Sequence, residues 1–140
     1  MNLLSINERL KGRDFKLWEY QPSLGSMLIR SSTELNGQPS DVGMDILIRG
    51  LLYAECPLSY GKIALDRANE PEIERVESLI GRRVEHGAAL VIVNTRARFM
   101  LFAALIRIQE HTGYLSKSPL FSDIEAEWEE YKGKFPELDH

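Results

Sequence analysis

The stretch RRVEHGAALVIVNTRARFMLFAALIRIQEH, residues 82–111, decides the fold. Two apolar runs flank the polar break NTRA at 94–97. Runs that are apolar at successive positions read as strands buried on both faces, and a short polar break between two of them reads as a hairpin turn. With Thr95 and Arg96 in the turn, Ile92 falls opposite Phe99, Leu90 opposite Leu101 and Ala88 opposite Ala103. The other face then pairs Val91 with Met100 and Ala89 with Phe102. Both faces come out apolar, so this hairpin is expected at the centre of a sheet.

Working outward, Asn69 before Glu70, Pro71 and Glu72 is a capping sequence, with acids at the positive end of the helix dipole. Ile73, Val76, Leu79 and Ile80 give that helix its apolar stripe, and Gly81 closes it. KIAL at 62–65 reads as a short edge strand. In MDILIRGLLYAECP, 44–57, Met44, Ile46 and Ile48 share one face and Asp45, Leu47 and Arg49 the other. Gly50 interrupts the alternation, as at a bulge or a turn between two strands, and Pro57 ends the run. FKLWEYQPSLGSMLIRSS, 15–32, alternates on either side of the turn QPSLG and predicts a second hairpin. STELNGQPSDVG, 32–43, is rich in turn formers and predicts a surface loop. A first helix is capped by Asn2 or Ser5, carries Leu3, Ile6 and Leu10, and stops at Gly12.

The C-terminal stretch SPLFSDIEAEWEEYKGKFPELDH, 118–140, predicts one more helix. Ser122 and Glu125 form a capping box. Ile124, Trp128, Tyr131 and Phe135 recur at helical spacing, so this aromatic stripe is expected to pack into the core while Glu127, Glu129 and Glu130 stay outside. The sum is a single α+β domain over 1–140: a twisted antiparallel sheet of about five to six strands with two to three helices.

The bulk numbers narrow the function. The chain has 140 residues, 44% of them hydrophobic and 27% charged, as in an ordinary globular domain. Its longest apolar run, Phe99 to Ile106, is far short of the roughly 20 residues of a membrane helix. The start, MNLLSINERLKGRD, lacks the basic and apolar regions of a secretory signal. One cysteine, Cys56, allows no internal disulfide. A cytoplasmic location is the expectation. The net charge is −4, and residues 123–140 hold seven acids against two lysines, while 1–122 hold fourteen acids against fifteen bases. A basic footprint for direct nucleic-acid contact is missing.

No catalytic residue, cofactor or metal site is expected. The three histidines lack ligand spacing, and no phosphate-loop pattern occurs. His86, on a strand face with Val84, Ala88 and Leu90, is a general-base candidate, outweighed by the reading of a hydrogen-bonded histidine near a sheet end. His111 is expected exposed. Cys56 is expected to be a buried structural thiol. Asp41, Asp45 and Glu55 are candidate paired carboxylates, with a local Asp45–Arg49 ion pair the plainer reading. Gly87, Ala88, Ala89, Ala103 and Ala104 are expected to form a small-residue patch, filled by a helix or a tryptophan, or else open as a pocket. Two acidic helix faces are the candidate partner-binding surfaces. Asp123, Glu127 and Glu130 lie on the C-terminal one, Glu70 and Glu74 on the other.

Residues 14–65 resemble a group of small, poorly characterised bacterial α+β proteins. The resemblance rests on the aromatic hairpin 15–32, the pattern D-hydrophobic-x-hydrophobic-x-G at Asp45 to Gly50, and Pro57 at the end of the next strand. In size, charge and texture the chain is also similar to bacterial immunity proteins, including those of contact-dependent growth-inhibition systems. That similarity of type implies a non-enzymatic protein that binds and neutralises a cognate basic toxin, a nuclease among the candidates. Two other readings stay open: a small-ligand binder or enzyme using a sheet-face pocket near His86, and a structural homo-oligomer, in the simplest form a homodimer, joined through the apolar hairpin.

Overall fold

The computed structural model describes residues 2–112. The expected helix over 122–136, with Asp123, Glu127 and Glu130, lies outside the described residues.

Helix α1, Leu3–Leu10, starts where the Asn2 side chain accepts the Ser5 N–H. Strands β1, Phe15–Gln21, and β2, Ser26–Ser31, form the expected aromatic hairpin. Strand β3, Val42–Ala54, is followed by two short strands, β4, Ser59–Gly61, and β5, Ala64–Arg67. Helix α2, Glu70–Ile80, leads to β6, Ala89–Val93, and β7, Arg98–Thr112. The strands make one curled antiparallel sheet in the order β4-β1-β2-β3-β7-β6-β5. It has seven strands rather than five or six, because β4 adds an edge too short to leave an alternation pattern.

The decisive hairpin pairs as its sequence predicts at Ile92–Phe99, Val91–Met100, Leu90–Leu101 and Ala89–Phe102. The expected Ala88–Ala103 pair is absent. Ala88 belongs to a 3-10 turn, His86–Ala88, and Ala103 instead pairs with Leu51 of β3. The hairpin is off-centre: β3 is the middle strand, β7 lies beside it and β6 lies one place in from the β5 edge.

Two apolar layers sandwich the sheet. The larger gathers Phe15, Met27, Ile29, Ile46, Ile48 and Leu101 beneath Leu10 of α1. The second joins Ile73 and Val76 of α2 to Ala89, Val91, Met100 and Phe102. The two faces of the β6–β7 hairpin are therefore covered within the chain. The small residues do not form one patch: Ala89 faces the second core, Ala103 the first, and Ala104 is exposed.

Gly50 bends the sheet rather than ending a strand. Its φ of +62° is left-handed, a region glycine enters without a Cβ penalty. On its N-terminal side Met44, Ile46 and Ile48 face the first core; beyond it Leu51 and Ala54 do. Strand β7 changes parity opposite, between Ala103 and Ile106. A Cβ on Gly50 would lie 2.8 Å from the Ala104 Cβ, so the bend needs close approach as well as positive φ. Among the described residues no helix is long and apolar enough to cross a membrane.

Candidate functional site

Helix α2 carries the described half of the predicted acidic surface. Ile73 and Val76 point inward. Glu70 and Glu74, four apart, stand one turn from each other on the exposed side. The helix is held firmly. Asn69 and Glu72 form a complete capping box, with Glu72 N–H donating to Asn69 Oδ1 and Asn69 N–H donating to Glu72 Oε1, both at 2.9 Å. Gly81 closes the helix in the left-handed conformation.

Two polar clamps fix α2 to the sheet. Arg98 of β7 donates from Nε to Glu72 Oε2 at 2.9 Å and from Nη2 to Glu72 Oε1 at 2.8 Å. Its Nη1 reaches Asp66 Oδ2 of β5 at 3.0 Å. The Arg98 hydrogen bonds hold both carboxyls below their ordinary range. At the second clamp, Glu55 takes Arg75 Nη2 at 3.0 Å, the Tyr53 hydroxyl at 3.0 Å and the Met100 N–H at 3.0 Å. Burial works to raise the Glu55 pKa, but these three donors outweigh it and the carboxyl sits below its usual value.

The carboxylates of α2 are thus unequal. Glu72 is held by Arg98, and Glu77 accepts the Val84 N–H at 2.8 Å. Glu70 pairs with His86 Nε2 at 3.0 Å. Glu74 lines a shallow hollow with Glu77, Arg82 and Arg83. Period-3.6 spacing placed these acids on a helix but carried no information about the arginines that neutralise some of them.

Several other sequence expectations are corrected here. His86 is not on a strand face at a pocket mouth: it sits on the 3-10 turn with its side chain 71% exposed. His111 is buried rather than exposed, with Nε2 3.1 Å from the Ser31 carbonyl oxygen. Gly43 opposite makes room for it, since a Cβ there would run into the imidazole. Asp45 bonds Arg30 across the strands, Nε to Oδ1 at 2.7 Å and Nη2 to Oδ2 at 2.9 Å, not Arg49 along its own strand. Arg49 Nη1 donates to Ser26 Oγ at 3.0 Å. Asp41, Asp45 and Glu55 do not converge as an acid–base pair, because Asp45 and Glu55 are each bonded to a different arginine.

Cys56 is exposed, not buried, with Sγ 3.6 Å from Met27 Sδ. Desolvation of the sulfur still pushes its thiol pKa up, which lowers the thiolate fraction and weakens it as a nucleophile. It lines a half-open cleft of about 360 Å³ with Leu17, Tyr20, Met27, Leu51 and Tyr53. This cleft sits between the tip of the β1–β2 hairpin and the part of β3 beyond Gly50. No local pattern in the chain announces it, since its walls come from three separate strands. Among the described residues no group of three or more His, Cys, Asp or Glu side chains is placed to hold a metal ion.

No protein-family model, curated protein or solved structure matches this chain.

Proposed function

We propose that this chain is a non-enzymatic binding protein, in its most concrete form an immunity protein that binds and neutralises a cognate basic bacterial toxin. The observation that carries the reading is the exposed Glu70–Glu74 pair on a helix capped at both ends and clamped to the sheet. Carboxylates presented on a rigid element lose little freedom on docking, so more of their interaction survives as affinity. A negative surface of this kind steers a basic partner and disfavours acidic ones. The mechanism is stoichiometric occlusion: the acids meet basic residues around the toxin's active site and keep its substrate out. For a nuclease, those are the residues that would hold nucleic acid. Asp123, Glu127 and Glu130 form the second acidic set.

The test is affinity capture of the tagged protein, at low and moderate salt, from cells that also express the neighbouring gene. A stoichiometric basic partner whose toxicity is suppressed supports the reading. Glu70→Lys with Glu74→Lys is expected to slow association roughly tenfold or more while the fold persists. An unchanged on-rate removes α2 from the interface and leaves the C-terminal carboxylates to be reversed in turn. A chain that captures nothing at either salt overturns the proposal.

The cleft beside Cys56 favours a second reading, a small apolar ligand. Its volume lies within the roughly 300–1,000 Å³ range of ligand pockets. A thermal-shift screen distinguishes the two readings, because a small molecule that binds only the native state raises the apparent stability without any protein partner.

A further inference from the structure

Strands β4 and β5 stand at opposite ends of the strand order, yet only Lys62 and Ile63 separate them in the chain. Gly61 and Ala64 therefore lie within about 11 Å of each other, the reach of three residues. The sheet curls until its two borders meet at a seam. On one side of the seam Gly61 pairs with Phe15 of β1, and on the other Ala64 pairs with Val93 of β6. One side chain pins the β6–β7 turn to this seam. Asn94 Nδ2 donates to the Tyr60 carbonyl at 2.9 Å, while Asn94 Oδ1 accepts the Arg96 and Ala97 N–H groups at 2.8 and 2.9 Å. A half-open cleft of about 550 Å³ lies between the turn and β4. Mouths of curled and closed sheets are frequent ligand sites, and the volume falls within the roughly 300–1,000 Å³ of such pockets.

We propose that this cleft binds a small aromatic phosphate ester, of the size of a nucleoside monophosphate. Part of its lining is aromatic. Phe99 is half-buried and meets Tyr60 edge to face, with ring centroids 5.4 Å apart and planes at 88°. The Tyr60 hydroxyl donates to the Glu55 carbonyl at 3.3 Å, and burial pushes its pKa up, so the phenol stays neutral. A flat ring can lie against such a wall, as bases do on aromatic side chains. Two exposed cations complete the lining, Lys62 from the seam and Arg96 from the turn. Arg75 and Arg98 are bonded to carboxylates, whereas among the described residues Lys62 and Arg96 form no salt bridge. A guanidinium and an ammonium from two separate elements suit a phosphate, whose oxygens accept charge-assisted hydrogen bonds from both. Asp14, also in the lining, repels an anion and can accept from a sugar hydroxyl or a ring amino group, which orients the phosphate toward Lys62 and Arg96. The cleft shares no lining residue with the one beside Cys56, and Glu70 and Glu74 take no part in it, so the inference is independent of both readings above.

The experiment titrates the isotopically labelled full chain with the common nucleoside monophosphates, the matching nucleosides, inorganic phosphate and phenylacetate, and follows the backbone amide signals. At least one monophosphate is expected to saturate with a dissociation constant of about 1 mM or below and to move the signals of Gly61, Thr95 and Arg96. Its nucleoside and inorganic phosphate are each expected to bind about tenfold or more weakly, since each lacks one half of the recognition. Lys62→Ala with Arg96→Ala, both at exposed positions, is expected to give a similar loss without moving the thermal midpoint. Either single variant serves if the double one does not fold. Failure of every monophosphate to saturate overturns the proposal. So does a nucleoside that binds as tightly as its monophosphate, or inorganic phosphate that does so without the ring. Phenylacetate bound as tightly as the monophosphate overturns the phosphate assignment, and binding unchanged by the double variant puts the ligand elsewhere.

Discussion

Two arginine–carboxylate clusters in this protein use the same chemical groups in opposite surroundings. Arg30 and Asp45 are buried at the centre of the sheet, bonded through two nitrogens and two oxygens, with Trp18 ring atoms near the guanidinium, 5.4 Å from its carbon to the ring centroid. Arg98 bridges Glu72 and Asp66 at the surface, with its own side chain 37% exposed. In water, such a cluster is a modest fastener, screened by salt and easily replaced by hydration. Inside, desolvation of both charges opposes their attraction, and the pair is tolerable because its oxygens and nitrogens are bonded to each other. Its use is register. Arg30 lies directly opposite Asp45, so a one-residue slip of β2 against β3 would turn a charge into the first core.

Asp45→Ala should break the contrast most violently. It removes the carboxylate that two Arg30 nitrogens bond, and a loss of about 3–5 kcal/mol is expected from urea unfolding. The double variant Arg30→Met with Asp45→Leu should return to within about 1 kcal/mol of the wild type, because no buried charge of the pair is left behind. A double variant as weak as the single one would show that the cost is lost packing rather than a stranded charge. Gly43→Ala comes next. The new methyl drives the His111 ring out of its place, and His111 Nε2 lies 3.8 Å from Asp45 Oδ1. A loss of about 1–3 kcal/mol is expected, as for other overpacked sites.

Arg98→Met should be the mildest, about 1 kcal/mol or less. Its signature is dependence on conditions. Glu72 and Asp66 have folded-state pKa values below their unfolded ones, so their contribution is complete above the ordinary carboxylate range and is lost as pH falls through the folded values. The stability gap between wild type and Arg98→Met should therefore be constant near neutrality and close in acid. It should also shrink at 1 M salt, where the screening length is about 3 Å, while the gap for Asp45→Ala persists. Equal salt sensitivity of the two gaps would erase the distinction between the clusters.

The sequence was most legible where the information is local. Asn69, Glu72 and Gly81 mark both ends of α2 because caps are made by residues three or four apart. The β6–β7 register follows from a turn whose two strands are adjacent in the chain, and Asn94 Oδ1 secures that turn by accepting the Arg96 and Ala97 N–H groups. What failed depends on distant partners. Alternation told which face Asp45 occupies, but Arg49 and Arg30 share that face, and only the β2–β3 pairing selects Arg30. Val84, His86 and Ala88 continue an apolar-looking strand pattern, yet His86–Ala88 form a 3-10 turn, so the strand begins only at Ala89. Gly50 announced a disruption without saying whether the strand ended or bent. Of the candidate site, the α2 acids were readable by spacing, whereas the Arg98 clamp, 26 residues from Glu72 in the chain, was not.

Asn7 has a consequence for how this protein behaves among its own copies. From α1, its amide donates to the Leu65 carbonyl at 2.9 Å and accepts the Leu65 N–H at 2.7 Å. That is the pair of bonds a neighbouring strand would make, supplied by a side chain. The outer backbone of β5 is therefore already occupied at Leu65, and β4 at the opposite border offers only three residues. The longest strand, β7, is flanked by β6 only over Arg98–Phe102; from 103 to 112 its described strand partner is β3 alone. At the β5 border another chain thus finds the backbone of Leu65 already taken, and strand addition there is blocked at its first step.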